Sequence, residues 1–211
     1  MTFDDRADAG RRLAKELRDF AGRKDVLVLG IPRGGVTVAF QIAQSLHAPL
    51  DVFLSHKLGV PGREELAFGA IAAGGGRYLD QRLIRAAGLL PEQIECVTAE
   101  VTRMLDRRAA LYRGDRPPLR VADRTVVLVD DGIATGASIF AAISALRQIR
   151  PAALIVAAPV APSSTCAWLR KIVDRLVCLD APQDFYSVGQ FYRSFAQVPD
   201  EEVISLLRLA A

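Results

Sequence analysis

Histidine and cysteine are scarce, with two of the first and three of the second in 211 residues. Cys96, Cys166 and Cys178 are odd in number, far apart and outside any metal-ligand spacing. They build neither a disulfide framework nor a thiolate metal centre. His47 and His56 do not complete a zinc set with them. Reduced, structural thiols of a cytoplasmic protein are the expectation. No apolar run reaches membrane-spanning length. The first residues, Met1-Thr2-Phe3-Asp4-Asp5-Arg6, are acidic and mixed, unlike a signal peptide. Charge of one sign is also lacking: 27 basic against 24 acidic residues leave +3. That surplus suits a polyphosphate ligand and is too small to argue for nucleic acid. The glycine spacing of a dinucleotide fingerprint and the Gly-Lys-Ser/Thr end of a P-loop are both missing, which disfavours a Rossmann dehydrogenase.

What is present is an alternation of strand-like and helix-like stretches, the rhythm of an α/β fold with a mostly parallel sheet and helices on both faces. Asp4 to Phe20 carries Ala9, Leu13, Leu17 and Phe20 at helical spacing and reads as an amphipathic packing helix. Asp25–Leu29 is a buried strand running into Gly30-Ile31-Pro32-Arg33-Gly34-Gly35, after which a helix follows. Arg33 offers a forked donor, and Gly34 and Gly35 can expose backbone N–H groups to an anion. Leu50–Ser55 reads as a second strand ending at His56-Lys57. In Leu58–Leu66, residues Gly59, Pro61 and Gly62 argue against a regular element, so a mobile lid is expected there. Glu64 and Glu65 on that lid read as solvated charge. Gly74-Gly75-Gly76 reads as a hairpin turn, and Pro91–Tyr112 as a long amphipathic helix. On that helix Arg103, Arg107, Arg108 and Arg113 form a solvated face. Gly114–Asp123, with Pro117-Pro118, is an irregular lead. Further strands are expected at Ala153–Val160 and Arg175–Leu179, with a helix between them capped by Ser163 or Ser164. Asp200, Glu201 and Glu202 open a C-terminal packing helix.

The stretch around which the rest is arranged is Thr125–Ser138. A β-branched apolar run, Thr125-Val126-Val127-Leu128-Val129, ends in two adjacent carboxylates, Asp130 and Asp131. A turn of small residues follows, Gly132-Ile133-Ala134-Thr135-Gly136-Ala137-Ser138, and then Ile139, Ile143, Leu146 and Ile149 at helical spacing. Strand, loop and helix in that order put free N–H groups and a positive helix end at the carboxyl edge of a sheet. Gly136 and its small neighbours let a phosphate approach the main chain, and the carboxylates can accept hydrogen bonds from vicinal hydroxyls. Phosphate at one end and a diol a few ångströms away describe a ribose 5-phosphate.

Val127–Ser138 resembles the phosphoribosyl-pyrophosphate (PRPP) signature of the type I phosphoribosyltransferases: apolar strand, two acids, and a small Thr-Gly turn closed by Ser or Thr. The resemblance implies one phosphoribosyltransferase-like domain over residues 1–211, with a lid at about 57–80 and a hood at about 181–196. It implies an Mg²⁺-dependent transfer of phosphoribosyl from PRPP to a nitrogenous acceptor, in the class of a nucleobase. Arg33, Lys57, Asp130 and Asp131 would be catalytic, and Gly34, Gly35, Ala134, Thr135, Gly136, Ala137 and Ser138 would join them in binding PRPP. Mg²⁺ would be held mainly by substrate and water, near Asp130 and Asp131. Arg33-Gly34-Gly35 is similar to the pyrophosphate loop of the xanthine-guanine members; some family members hold a non-proline cis peptide in this loop, which implies backbone strain near Pro32-Arg33. Lys57 resembles the pyrophosphate lysine of the orotate members.

The hood, rich in Phe185, Tyr186, Phe191, Tyr192 and Phe195, is similar to that of the 6-oxopurine members. Ile133, Phe185, Tyr186 and Val188 are its candidate base contacts. At Ala134, however, the 6-oxopurine members carry an aspartate and the adenine members an alanine, so the two cues point to different bases. The alternative is a catalytically silent PRPP sensor. Such regulators usually add a DNA-binding module, for which residues 1–50 are too short. Partners are thus PRPP and an acceptor, without nucleic acid or membrane, and with a homodimer possible in this family.

Overall fold

A computed structural model of the chain describes residues 1–73, 76–114, 116–117 and 119–210, without the side chain of Glu65. Gly74, Gly75 and Pro118 of the expected turn and lead lie outside the described residues. In chain order the elements are α1 (Arg6–Glu16), β1 (Val26–Gly30), α2 (Gly34–Leu46), β2 (Leu50–Val52), β3 (Ser55–Val60), β4 (Arg63–Ala72) and β5 (Arg77–Leu79). After these come α3 (Gln81–Ala87), α4 (Pro91–Arg113), β6 (Thr125–Val129), α5 (Ala137–Ile149), β7 (Ala153–Val160), α6 (Ser163–Leu169), β8 (Arg175–Asp180) and α7 (Asp200–Leu209).

The continuous apolar runs become the middle of a five-stranded sheet in the order β2-β1-β6-β7-β8, with every pairing parallel. Val28 pairs with Val127, and Val127 with Ile155. Each run is buried on both faces because alternate side chains serve two cores. Val26, Val28, Val127, Val129, Ile155 and Ala157 face the core shared with α2, α4 and α7. Leu27, Leu29, Val126, Leu128, Leu154 and Val156 face the core shared with α5 and α6. At about 1.5–3 kcal/mol per fully buried aliphatic side chain, this double burial explains why these runs take the centre of the sheet. The fold is therefore α/β with helices on both faces, as the alternation implied.

Four local readings change. Leu50–Ser55 is not one strand: β2 ends at Val52, and Ser55 already belongs to a second sheet, antiparallel β3-β4-β5. The stretch from Leu58 to Leu66, expected to be irregular, lies largely in β3 and β4. Pro61 and Gly62 occupy the two central positions of the turn between them, Gly62 with φ 75°, so the residues that read as breakers close a hairpin. Gly59 sits where the register shifts, and a Cβ there would stand 2.8 Å from the Glu64 carbonyl oxygen. The helix α3 was not anticipated, although its signals are ordinary. Asp80 accepts from the N–H groups of Arg82 and Leu83, and Gly88 closes the helix at φ 63°. Finally, α6 starts after Pro162 without a serine side-chain cap.

Arg113 also departs from its reading as a solvated residue. It lies over β2 and grips the Asp51 carboxylate with Nε at 3.0 Å and Nη2 at 3.0 Å, with Nη2 also donating to the Pro117 carbonyl oxygen at 2.6 Å. Both side chains are largely buried, at 17% and 11% exposed, so removing one partner strands the other. R113M is expected to lower unfolding stability by about 3 kcal/mol, the low end for a broken buried pair. Urea unfolding measures it, and a loss below about 1 kcal/mol would mean that the pair is solvated after all.

Candidate functional site

The sheet order reverses between β1 and β6. From β1 the chain moves outward to β2 on one side, whereas β6 leads to β7 and β8 on the other. The loops leaving β1 and β6 at their carboxyl ends enter α2 and α5, which pack on opposite faces. A crevice between diverging loops follows from that topology, and ligands of open α/β sheets bind there. Arg33 and Ser138, from these two loops, border the same two recesses.

The hood-side recess, about 490 Å³, is bordered by Arg6, Arg33, Gly34, Asp130, Asp131, Ser138 and Val188. Its chemistry centres on the acid pair. Asp130 accepts from the Asp131 N–H at 2.9 Å. Burial, and then the neighbouring Asp131 charge, push the Asp130 carboxyl well above the usual carboxylate range. Asp131 is held differently. Its Oδ2 accepts from Arg6 Nε at 2.7 Å, with the two side chains 11% and 16% exposed. Arg6 comes from α1, which the sequence offered only as packing. That helix does pack, through Ala9, Gly10 and Leu13, but it also delivers a cation to the site. The Arg6 guanidinium lies 3.9 Å from the Phe195 ring centroid.

Gly34 and Gly35 are required by this closeness. A Cβ on Gly34 would stand 1.9 Å from Asp131 Oδ2 and 2.6 Å from Arg6 Nε. One on Gly35 would meet the Val129 carbonyl oxygen at 2.7 Å. Both residues begin α2, whose first N–H groups lack intrahelical acceptors. The preceding Pro32–Arg33 peptide is cis.

The second recess, about 590 Å³, is cationic. Arg33, His56 and Arg108 border it, with Tyr112, Ser138 and Asp200. The Tyr112 hydroxyl donates to Asp200 at 2.5 Å, and Arg33 lies 3.8 Å from the same carboxylate oxygen. Desolvation first, then Asp200, raise Tyr112 to about 12, so the phenol keeps its proton. Partial desolvation, then the charges of Arg108 and Lys57, lower His56 below its ordinary value. Thus α7 contributes more than packing, and Arg108 borders the site although solvent-exposed. Neither residue carried a local motif: one was an arginine among several on a helix, the other one acid of a capping run.

Lys57 is not in this recess. Successive side chains on β3 alternate in direction, so when His56 faces Arg33, Lys57 points the other way. It borders a third recess, about 610 Å³, with Thr135, Gly136, Ala137, Phe140 and Trp168. The structure therefore separates Lys57 from Arg33 and puts it beside the small-residue turn. That turn is open: Ala134, Thr135, Ala137 and Ser138 are exposed, and Gly136 at φ 82° starts α5. Thr165 donates to the Ala134 carbonyl oxygen at 3.4 Å.

The hood candidates disperse. Ile133 is buried in the α5-side core, so its side chain is unavailable to a base. Tyr186 is 91% exposed, and Phe185 stacks on Phe191. Val188 faces the hood-side recess and closes against Gly132, where an added Cβ would be 2.3 Å from its Cγ1. Phe191 and Tyr192 are buried, tied to the first residues by Phe3 N–H donating to the Phe191 carbonyl oxygen at 2.8 Å. The Tyr192 hydroxyl donates to the Asp131 carbonyl oxygen at 2.5 Å.

A sheet of this order, with an acid pair and a small-residue turn at its reversal point, is the arrangement of a phosphoribosyl transferase, and the comparisons agree. The chain belongs to that family: the model of the phosphoribosyl transferase domain matches residues 3–195. Two curated Mycobacterium tuberculosis proteins, named "Putative phosphoribosyl transferase" Rv0571c and MT0597, are each 45% identical over 205 residues. The match covers 97% of this chain and 46% of theirs, so the chain spans about half the length of these relatives. The crystal structure of TT1426 from Thermus thermophilus superposes with TM-score 0.90 at 41% identity over 100% of both chains. AQ2163 from Aquifex aeolicus shares the fold at TM-score 0.52 and 12% identity, over 87% of this chain and 78% of its own. Among the described residues, no helix is long and apolar enough to cross a membrane.

G34A tests the packing of this site. Alanine in the first turn of a helix is worth up to about 1 kcal/mol over glycine. Here the new Cβ meets an ion pair backed by the Phe195 ring, and overpacking of this kind costs about 1–3 kcal/mol. The expected result is a lower thermal midpoint. An unchanged or raised midpoint would mean that Arg6 and Asp131 do not close on the first loop.

Proposed function

We propose that this chain transfers the 5-phosphoribosyl group of PRPP to a nitrogenous acceptor, in the class of a nucleobase, and releases pyrophosphate. One observation carries the reading: the cation of the first loop, the acid pair of the second and Ser138 at the end of its turn border a single crevice at the sheet's reversal point. Such a crevice matches a sugar that carries phosphate at both ends and a diol between them.

Breaking the bond from the ribose C1 to pyrophosphate while the acceptor nitrogen forms its own needs no protein nucleophile. The transition state is oxocarbenium-like, and the protein must align the reactants, exclude water and stabilise charge on the leaving group. Asp130 and Asp131 accept the ribose hydroxyls. The N–H groups of Thr135, Gly136, Ala137 and Ser138 hold the 5′-phosphate, with Ala134 leaving space beside them and Lys57 adding charge on that side. Arg33, with the first-turn N–H groups of Gly34 and Gly35, receives the pyrophosphate, joined by His56 and Arg108. An incoming polyanion competes with Asp200 for Arg33.

Two hard carboxylates fit Mg²⁺ held mostly by substrate oxygens and water, and no cluster of three or more ligating side chains occurs among the described residues. Asp130 and Asp131 would stand near the ion and help hold it through the ribose hydroxyls they accept, and the ion would supply positive charge to the departing pyrophosphate. The acceptor enters from the hood side, where Val188 and Phe195 border the recess. Calorimetric titration with PRPP and Mg²⁺ is expected to give saturable binding, and a nucleobase panel should identify an acceptor that releases pyrophosphate. No binding at millimolar PRPP would end this reading, whereas binding without turnover on any acceptor would make the chain a sensor.

His56 supplies a pH signature. Its depressed free value rises when a polyanion offsets the Arg108 and Lys57 charges, so the complex binds the proton more tightly than the free protein. The His56 contribution to pyrophosphate affinity is therefore gained as pH falls through the value the imidazole takes in the complex. Titration in buffers of different ionisation enthalpy should record proton uptake, and H56Q should remove it. Equal uptake by H56Q would take His56 out of the subsite.

A further inference from the structure

We propose that Arg6 is a positioning residue for the ribose diol: from α1 it holds the Asp131 carboxylate in the crevice wall, in the orientation in which it meets a sugar hydroxyl. The inference rests on the phosphoribosyl reading above. Arg6 is anchored on three sides. Nε donates to Asp131 Oδ2 at 2.7 Å, Nη1 donates to the Ala196 carbonyl oxygen at 2.7 Å, and the guanidinium carbon lies 3.9 Å from the Phe195 ring centroid. Asp131 is anchored through its backbone as well, since its carbonyl oxygen accepts from the Tyr192 hydroxyl, whose ring is 4.9 Å from Phe195.

An ion pair that only tied α1 down could sit anywhere along the helix. This one lies in the crevice wall beside Asp130 and Ser138, where the first loop has no side chain at Gly34 to obstruct it. A forked, always-charged group is suited to this duty. It fixes the carboxylate in a plane at the crevice wall, with a charge-assisted bond whose direction the fork sets. A carboxylate fixed in this way spends no rotamer freedom when a hydroxyl arrives.

The experiment compares ribose 5-phosphate with 2-deoxyribose 5-phosphate by calorimetry, in the unmodified protein and in R6M and R6K. The two sugars share the phosphate and differ by one hydroxyl. The unmodified protein is expected to prefer ribose 5-phosphate by about 10- to 100-fold, the range for a hydrogen bond to a charged group. R6M keeps the apolar stem against Phe195. It should reduce the preference to within about 3-fold while the affinity for the deoxy sugar changes little. R6K, which restores charge without the fork, should recover part of the preference, and it carries the same comparison if R6M does not fold.

Two results in the variants would overturn the inference. One is a preference kept in full; the other is equal weakening for both sugars, which marks Arg6 as structural only. If the unmodified protein binds both sugars equally, the phosphate subsite stands but the diol role of Asp131 and Arg6 is lost. If it binds neither at millimolar concentration, the phosphoribosyl reading fails and this inference fails with it.

Discussion

A parallel sheet can change the direction in which its strands are added, and where it does, two neighbouring strands send their chains to opposite faces. Here those strands are β1 and β6, paired from Val26–Thr125 to Gly30–Val129. The gap beyond Gly30 and Val129 cannot be filled by either following helix, because α2 and α5 have already diverged. The first-loop cation, the acid pair and the open turn are functional candidates only because they border that gap. The central strands hold it rigidly, being buried on both faces.

Around the gap, charge is sorted by position. Carboxylates stand at the end of β6, one made hard to ionise by burial and its neighbour, the other pinned by Arg6. Arg33, His56 and Arg108 collect in the adjoining recess. Lys57 is turned toward the head of α5 by the alternation of β3. Such sorting penalises any pose that sets an anionic group against the carboxylates. Asp200 lies among the cations beside Arg33 and Tyr112, so the cationic recess is not of one sign throughout.

Much of the fold could be read locally. The β1, β6 and β7 runs, α1, α4, α5 and α7 follow from apolar periodicity and caps, and the antiparallel pairing of β4 with β5 from the glycines between them in sequence. The hairpin at Leu58–Leu66 is not legible locally, because Pro61 and Gly62 disrupt a strand interior but fit the centre of a tight turn, and composition does not say which position they hold. The strand expected at Leu50–Ser55 was drawn too long because a chain that leaves one sheet for another at Phe53-Leu54 stays extended and apolar throughout. Arg113 resembled its exposed neighbours on α4 until its Asp51 partner, far away in sequence, was in view.

By itself, the sequence determined the strand, acid pair and small-residue turn of Val127–Ser138, and hence the family, because every part of that signal is contiguous and set by backbone chemistry. Only the tertiary structure decided which cations attend it. Arg6 reaches Asp131 across 125 positions of chain, and His56 replaces Lys57 opposite Arg33 through a strand's two-residue alternation. Electrostatic partners depend on distance in space, and local pattern does not encode that distance until the sheet has folded.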